Sequence, residues 1–282
     1  MIFRFAPSPN GYLHLGHAYS ALLNADLAQA SGGRLLLRIE DIDPARSKPE
    51  FVTAILEDLR WLGLRWEEPV RCQSRHLAGH GAALDRLAAR GLLYPCFCTR
   101  GDIARATAAM PDWPRDPDGS PLYPGTCRTR PARHRDARLA GALPRAWRLD
   151  MAAALALVPP DLAWSETGAD GATRSIAANP SLWADALLAR KDVRTSYHVA
   201  VVVDDAAQQA TDVVRGEDLF FATHLHRLLQ CLLELPTPRY RHHALIRDGQ
   251  GGKLAKSRLS TPLRDWRAAG ASPDDIRRMV GL

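Results

Sequence analysis

The stretch Ile2-Phe3-Arg4-Phe5-Ala6-Pro7-Ser8-Pro9-Asn10-Gly11, leading into His14-Leu15-Gly16-His17, constrains this chain more than any other. Ile2 to Phe5 supply a short buried strand, which Pro7, Pro9 and Gly11 break. The spacing of Leu15, Ala18, Leu22 and Leu23 then predicts a helical face. His14 and His17 are three apart and share one face of the first helical turn. The unpaired N–H groups and the dipole of a helix start attract anions. Two imidazoles added there make a candidate polyphosphate site, and Gly16 lets a flat ring approach the backbone. The alternative for these four residues alone is a pair of polar side chains capping a helix.

Strand–helix alternation continues beyond this unit. Residues 34–40 read as a buried strand, 49–62 as an amphipathic helix with Pro49 in its first turn, and 76–90 as a helix stopped by Gly91. Such alternation predicts an α/β fold, a parallel sheet with helices on its faces. From about residue 95 to 145, Pro, Gly, Asp and Arg dominate and periodicity is lost, as in an insertion. From about 175 the patterning returns. Residues 197–203 and 211–214 read as strands, and 218–235 as a long helix carrying Leu225, Leu228, Leu229, Leu232 and Leu233.

The 282 residues, 46% hydrophobic and 24% charged, suit a soluble globular protein of about two domains. Net charge +6 and a pI near 9.3 permit a nucleic-acid partner without requiring one. No signal-peptide-like run opens the chain, and the longest aliphatic run, at 199–203, is too short to cross a bilayer. A cytoplasmic protein without membrane contact is expected. Five cysteines in a reducing compartment then point to metal binding or burial rather than disulfides.

Four sets of residues could carry chemistry. Gly251-Gly252-Lys253-Leu254-Ala255-Lys256-Ser257 is a glycine-flanked lysine pair. Cys96 and Cys98, with Tyr123 and Cys127 downstream, could clamp an insertion poor in core residues around a structural zinc. Two buried thiols and an unrelated Cys127 are the alternative. Arg4, Glu40 and Arg215 stand at or near strand ends, where α/β sheets bind ligands, with Tyr197 in the same C-terminal half. Two guanidinium groups and one carboxylate would suit an acidic amino acid; ordinary surface ion pairs are the alternative. Arg128, Arg130, Arg133, Arg135 and Arg138, and separately Arg239, Arg241, His242 and His243, could touch phosphates or form solvated basic faces. Cys72, Cys231 and the scattered tryptophans read as packing, with Cys231 in the core.

Arg4-Phe-Ala-Pro-Ser-Pro, His14-Leu-Gly-His17, Leu37-Arg-Ile-Glu-Asp41, Arg215-Gly-Glu-Asp218 and Lys253-Leu-Ala-Lys-Ser257 occur in one order along nearly the whole chain. As a set they resemble the glutamyl branch of the class I aminoacyl-tRNA synthetases. The histidine and lysine elements correspond to that class's two signatures, with Leu254 and Ala255 departing from the second. The chain ends soon after Ser257, where full-length glutamyl enzymes continue into a helical anticodon-binding domain. The truncated form, with Cys-x-Cys and Tyr-x₃-Cys in its insertion, resembles the glutamyl-Q tRNA(Asp) synthetases.

That resemblance implies a Rossmann-like catalytic domain in two halves, residues 1–95 and 176–240. Residues 96–175 would form a zinc-binding, acceptor-binding insertion and 241–282 a lysine loop with a short helical stem-contact region, with no anticodon-binding domain. It implies ATP, used with Mg²⁺, as a substrate at Pro7, His14, Gly16, His17, Lys253 and Lys256, with His14, His17 and Lys256 catalytic. L-Glutamate would be held by Arg4, Phe5, Ala6, Pro7, Ser8, Glu40, Tyr197 and Arg215, and zinc by Cys96, Cys98, Tyr123 and Cys127. The acceptor would be queuosine in aspartate tRNA, and the working unit a monomer.

Overall fold

The structure, a computed structural model, describes residues 1–129, 140, 144–246 and 261–282. Lys253 and Lys256, and Arg130, Arg133, Arg135 and Arg138 of the first basic cluster, lie outside the described residues.

The first strand, β1 (Ile2–Phe5), runs parallel to β2 (Arg34–Ile39), with Ile2 opposite Arg34 and Phe5 opposite Leu37. Helix α1 (Leu15–Ala30) makes the crossover between them. Helix α2 (Pro49–Trp61), which Gly63 follows at φ +78, leads to β3 (Glu67–Cys72) beside β2. The chain then passes through α3 (Leu77–Ala89) into a second, antiparallel sheet. That sheet contains β4 (Leu93–Cys96), β5 (Ala146–Leu149) and β8 (Leu187–Ala189), with helices α4 (Arg100–Thr107) and α5 (Met151–Leu155) on its connections.

Between β5 and β8 the hairpin β6 (Ala163–Thr167) and β7 (Thr173–Ala177) returns to the first sheet. Helix α6 (Tyr197–Ala207), β9 (Asp212–Gly216), α7 (Phe220–Leu232) and β10 (Arg239–His243) complete it. The order is β3-β2-β1-β9-β10-β6-β7, parallel throughout except for β7. Strand order reverses between β1 and β9. The crevice at the carboxyl ends of β1, β2 and β9 is therefore the switch point at which such sheets bind ligands.

Four expectations need correction. Residues 197–203, read as a strand, form the first part of α6. A short apolar run does not distinguish a buried strand from a buried helix. Here the run continues through Asp204 and Asp205 to Ala207, long enough for three helical turns. Residues 218–235 are not one helix: a 3₁₀ turn at Glu217–Leu219 precedes α7. Within the span read as aperiodic, residues 100–107 form α4, because Thr99 and Asp102 close a capping box that makes a polar segment helical. The β6–β7 hairpin, which the expected boundaries assign to the insertion, belongs to the seven-stranded sheet.

Two large cores hold these layers. Leu22, Ile39, Ile55 and Leu59 pack beneath α1 and α2, where Leu263, Ile276 and Val280 from α8 (Leu263–Ala268) and α9 (Pro273–Val280) join them. Burying each such side chain contributes about 1.5–3 kcal/mol. Arg277 clamps α9 to α1 through Asp26 at 2.9 and 2.8 Å. The other core gathers Leu87, Leu149, Leu188, Val199, Leu225 and Leu229, with Cys231 only half-buried at its edge. Among the described residues no helix is long and apolar enough to cross a membrane.

Candidate active site

A cleft of about 470 Å³ opens at the switch point. Arg4, Phe5, Ala6, Pro7 and Ser8 line it from the end of β1, and His14, Gly16 and His17 from the start of α1. Glu40 enters just after β2, Tyr197 from the first turn of α6, and Arg215 from β9. Residues up to 211 positions apart are thus brought together by three parallel strand ends. Asn10, Asp218 and His243, not assigned to this site from the sequence, join them, as does Ser20, which the sequence did not single out.

His14 is the N-cap of α1 and His17 its third residue. His14 Nδ1 accepts the Gly16 N–H at 3.1 Å, and His17 Nδ1 accepts the His14 N–H at 3.2 Å. In its neutral form each ring therefore carries its proton on Nε2. The ring centroids are 3.9 Å apart. A Cβ at position 16 would lie 3.1 Å from His14 Cε1, so Gly16 makes room for the imidazole that caps the helix. The described residues flanking the lysine segment also meet here: Ile246 lines the cleft and Pro262 bridges to His14.

Arg4 is buried, yet only its Nε is committed, to Asp205 Oδ1 at 3.1 Å. Its two Nη groups donate to no protein acceptor among the described residues. Arg215 is the opposite case. Its Nε donates to His242 Nε2 at 3.2 Å, Nη1 to Tyr197 Oη at 3.3 Å, and Nη2 to Leu219 O at 3.1 Å and Thr223 Oγ1 at 2.7 Å. His242 in turn donates from Nδ1 to the Glu166 carboxylate at 3.0 Å. Arg215 thus offers a fixed charge and Arg4 an open fork. Glu40 receives Arg38 Nη2 at 3.1 Å, and burial pushes its carboxyl up even against Arg38 and Arg4. Asp205 is also buried, but Arg4 and Arg38 outweigh that and hold it below the usual carboxylate range.

Sequence reading missed Arg38, Asp205, Thr223, His226 and His242 as parts of this network, although an arginine between Leu37 and Ile39 and paired aspartates at the end of an apolar run were signals. The second basic cluster does not form one surface, and its His243 lines the cleft. In β10 alternate residues face opposite ways, so Arg239 pairs with Asp212 while His242 turns inward.

Behind Arg215, His226 Nε2 lies 3.2 Å from His198 Nδ1. Burial, with Arg215 nearby, holds His198 down to about 4 and His226 well below its ordinary value. Between pH 6.5 and 4 the unfolded chain takes up a proton that folded His198 refuses, so stability falls as pH drops through that window. The loss at His198 is roughly 3 kcal/mol. Thermal melting at pH 7.5 and pH 5 is expected to show this destabilisation, and His198→Asn to lose less over the same interval. Equal losses in the two proteins would place the titrating group elsewhere.

A second centre lies on β4 and the segments beside it. The sulfurs of Cys96, Cys98 and Cys127 all lie within 4.8 Å of one another. Tyr123 Oη is 3.4 Å from Cys96 Sγ and 3.6 Å from Cys98 Sγ, and the Cys98 and Cys127 sulfurs are 3.5 Å apart. Sulfurs bound to one tetrahedral zinc at about 2.3 Å lie roughly 3.8 Å apart, so the donor set fits that ion with little movement. Burial drives Cys98 up to about 11, with the neighbouring thiols adding to it. At Cys127 burial acts the same way, but bonds from Tyr123 and the Phe97 N–H bring the thiol down to about 7. Lys191 Nζ donates to Phe97 O at 2.7 Å, and Arg190 reaches Asp43 Oδ2 at 2.8 Å. These two residues tie the cysteine cluster to the loop following Glu40.

The catalytic-domain family of the class I tRNA synthetases (E and Q) matches residues 1–144 and 158–281. A glutamyl-Q tRNA(Asp) synthetase of Rhodobacter capsulatus is 48% identical over 287 aligned positions, covering all of both chains. One from Nocardia farcinica is 40% identical, covering 98% of this chain and 82% of the relative. Among solved structures, a glutamate tRNA ligase from Elizabethkingia meningosepticum in complex with its amino acid aligns with a TM-score of 0.73 at 26% identity. That alignment covers 96% of this chain and 53% of the ligase, so the chain spans about half the length of that solved structure. By sequence, fold and full-length similarity, the chain belongs to the class I tRNA synthetases (E and Q) and, among them, to the glutamyl-Q tRNA(Asp) synthetase family.

Proposed function

We propose that the cleft joins L-glutamate to ATP as glutamyl adenylate, and that the glutamyl group then passes to queuosine at the first anticodon position of tRNA(Asp). The observation that carries the first half is the open guanidinium fork of Arg4 in one cleft with Glu40 and the His14–His17 pair. Arg4 takes the side-chain carboxylate, Glu40 the α-ammonium, and Tyr197 with Arg215 closes the far wall. A charge-assisted bond is worth roughly 1.5–3 kcal/mol, so one lost bond disfavours glutamine by about ten- to a hundredfold.

The α-carboxylate is already an anion and needs no general base. One of its oxygens bonds to the α-phosphorus, the bond from that phosphorus to the bridging oxygen breaks, and pyrophosphate leaves with the electron pair. Catalysis is then positioning and charge stabilisation. The His14 and His17 imidazoles, with the N–H groups of the α1 start, meet the phosphates. Lys253 and Lys256 would add cations, with Mg²⁺ carried by ATP. Cys96, Cys98, Cys127 and Tyr123 would hold zinc, whose contribution is to cross-link a segment with a small core of its own.

The end-to-end likeness to the glutamyl-Q relatives supports queuosine as the acceptor. The test is transfer of radiolabelled glutamate, with ATP, to aspartate tRNA with and without queuosine. Labelling of the queuosine form alone, surviving removal of the 3′ adenosine, is the expected result. Labelling of glutamate tRNA, lost with that adenosine, would identify a charging enzyme instead.

A further inference from the structure

Helix α6 carries two consecutive buried aspartates, and successive helical residues point about 100° apart. Asp204 faces away from the cleft. Its carboxylate takes Arg71 Nε at 2.7 Å and Gln73 Nε2 at 2.9 Å, and lies 3.2 Å from the His80 ring. Asp205 faces the other way. Its Oδ1 accepts Arg4 Nε at 3.1 Å and Arg38 Nη1 at 2.7 Å, and Arg38 passes on through Nη2 to Glu40 at 3.1 Å. Charges alternate along the chain Arg4–Asp205–Arg38–Glu40. Its two ends line the cleft and its two middle members do not.

We infer that Asp205 is a positioning residue that sets amino-acid specificity: it holds the Arg4 fork and, through Arg38, the Glu40 carboxylate at the one mutual placement that fits both charged ends of glutamate. By occupying the Nε edge it leaves both Nη groups of Arg4 for a carboxylate. Without its charge, two buried guanidinium groups face each other across a neutral side chain, and Arg4 loses its fixed orientation. The penalty then falls on a substrate with a side-chain carboxylate more than on glutamine, which makes no charge-assisted bond there. Asp204, one residue away and equally buried, supplies the structural comparison. This inference rests on the glutamate reading of the cleft.

The experiment is pyrophosphate exchange by the full chain in the presence of tRNA, with glutamate and glutamine as alternative substrates, for wild type, Asp205→Asn and Asp204→Asn. Asp205→Asn is expected to raise the glutamate KM at least about twentyfold, with kcat and the ATP KM changed less than about threefold. Its preference for glutamate over glutamine should fall roughly tenfold or more. Asp204→Asn is expected to lower Tm while leaving the glutamate KM within about twofold. If Asp205→Asn leaves the glutamate KM unchanged, as Asp204→Asn does, or shifts the glutamate and ATP constants together, the inference is overturned and the glutamate reading stands. If wild type itself shows no glutamate-dependent exchange, the reading fails in that arm and the inference with it. Should Asp205→Asn not fold, Asp205→Glu keeps the charge but moves the oxygen by one methylene. The same selective rise in glutamate KM is then expected, and its absence counts against the inference.

Discussion

Replacing Arg4 by alanine is expected to lower kcat/KM for glutamate in pyrophosphate exchange by about a thousandfold, with the ATP KM changed only a few-fold. Two charge-assisted bonds from the Nη groups are lost, at roughly 1.5–3 kcal/mol each, which brackets about 10² to 10⁴ in rate. A further cost arises behind the cleft, because buried Asp205 keeps only Arg38 as a cationic partner. Arg4→Lys is expected to restore little. An ammonium cannot engage Asp205 along one edge and present a planar fork along another. Near-normal glutamate kinetics in Arg4→Ala would remove Arg4 as the carboxylate anchor and leave Arg215 to take that part, even though its donors are already engaged.

Substituting Cys127 by serine is expected to abolish zinc binding at the proposed cysteine site and to unfold the segment around Tyr94, Cys96, Phe97 and Tyr123. That cluster is small and separate from the two large cores. A structural zinc contributes about 10–16 kcal/mol of apparent binding free energy, as much as about half a dozen buried side chains provide, so its loss removes about half of what holds the segment together. Metal content after dialysis should fall from about one zinc per chain to nearly none, and the first thermal transition should move down by 10 °C or more. Transfer to tRNA should fall more than about a hundredfold and glutamate-dependent exchange less than about tenfold, since among the described residues this segment is tied to the cleft loop through Arg190–Asp43 and Lys191–Phe97 and contributes no side chain to the cleft. Unchanged zinc content in Cys127→Ser would remove Cys127 from the ligand set.

Much of this architecture was legible from local pattern. The strand–loop–helix unit at 2–30, the strand at 34–39 and the helix stopped before Gly63 are each specified by residues a few positions apart. The strand-end placement of Arg4, Glu40 and Arg215 was legible as well, because a parallel sheet brings strand ends to one edge. The run at 197–203 was misread because its apolar residues are buried on nearly every side, which erases the periodicity that separates helix from strand.

What the sequence alone determined is the inventory: an α/β chain with a histidine-capped helix start, a cysteine cluster, and arginines and a carboxylate at strand ends. Tertiary structure alone decided which arginine keeps its fork open. Arg4 and Arg215 look equivalent as letters. Arg4 meets Asp205 from 201 residues away along one edge, whereas Arg215 meets Tyr197, Leu219, Thr223 and His242 on every donor. Local propensity acts over a few residues and sets the elements. The partner of a buried charge is chosen by whichever distant group the packing brings within hydrogen-bonding distance, because a buried charge left unpaired costs too much to persist.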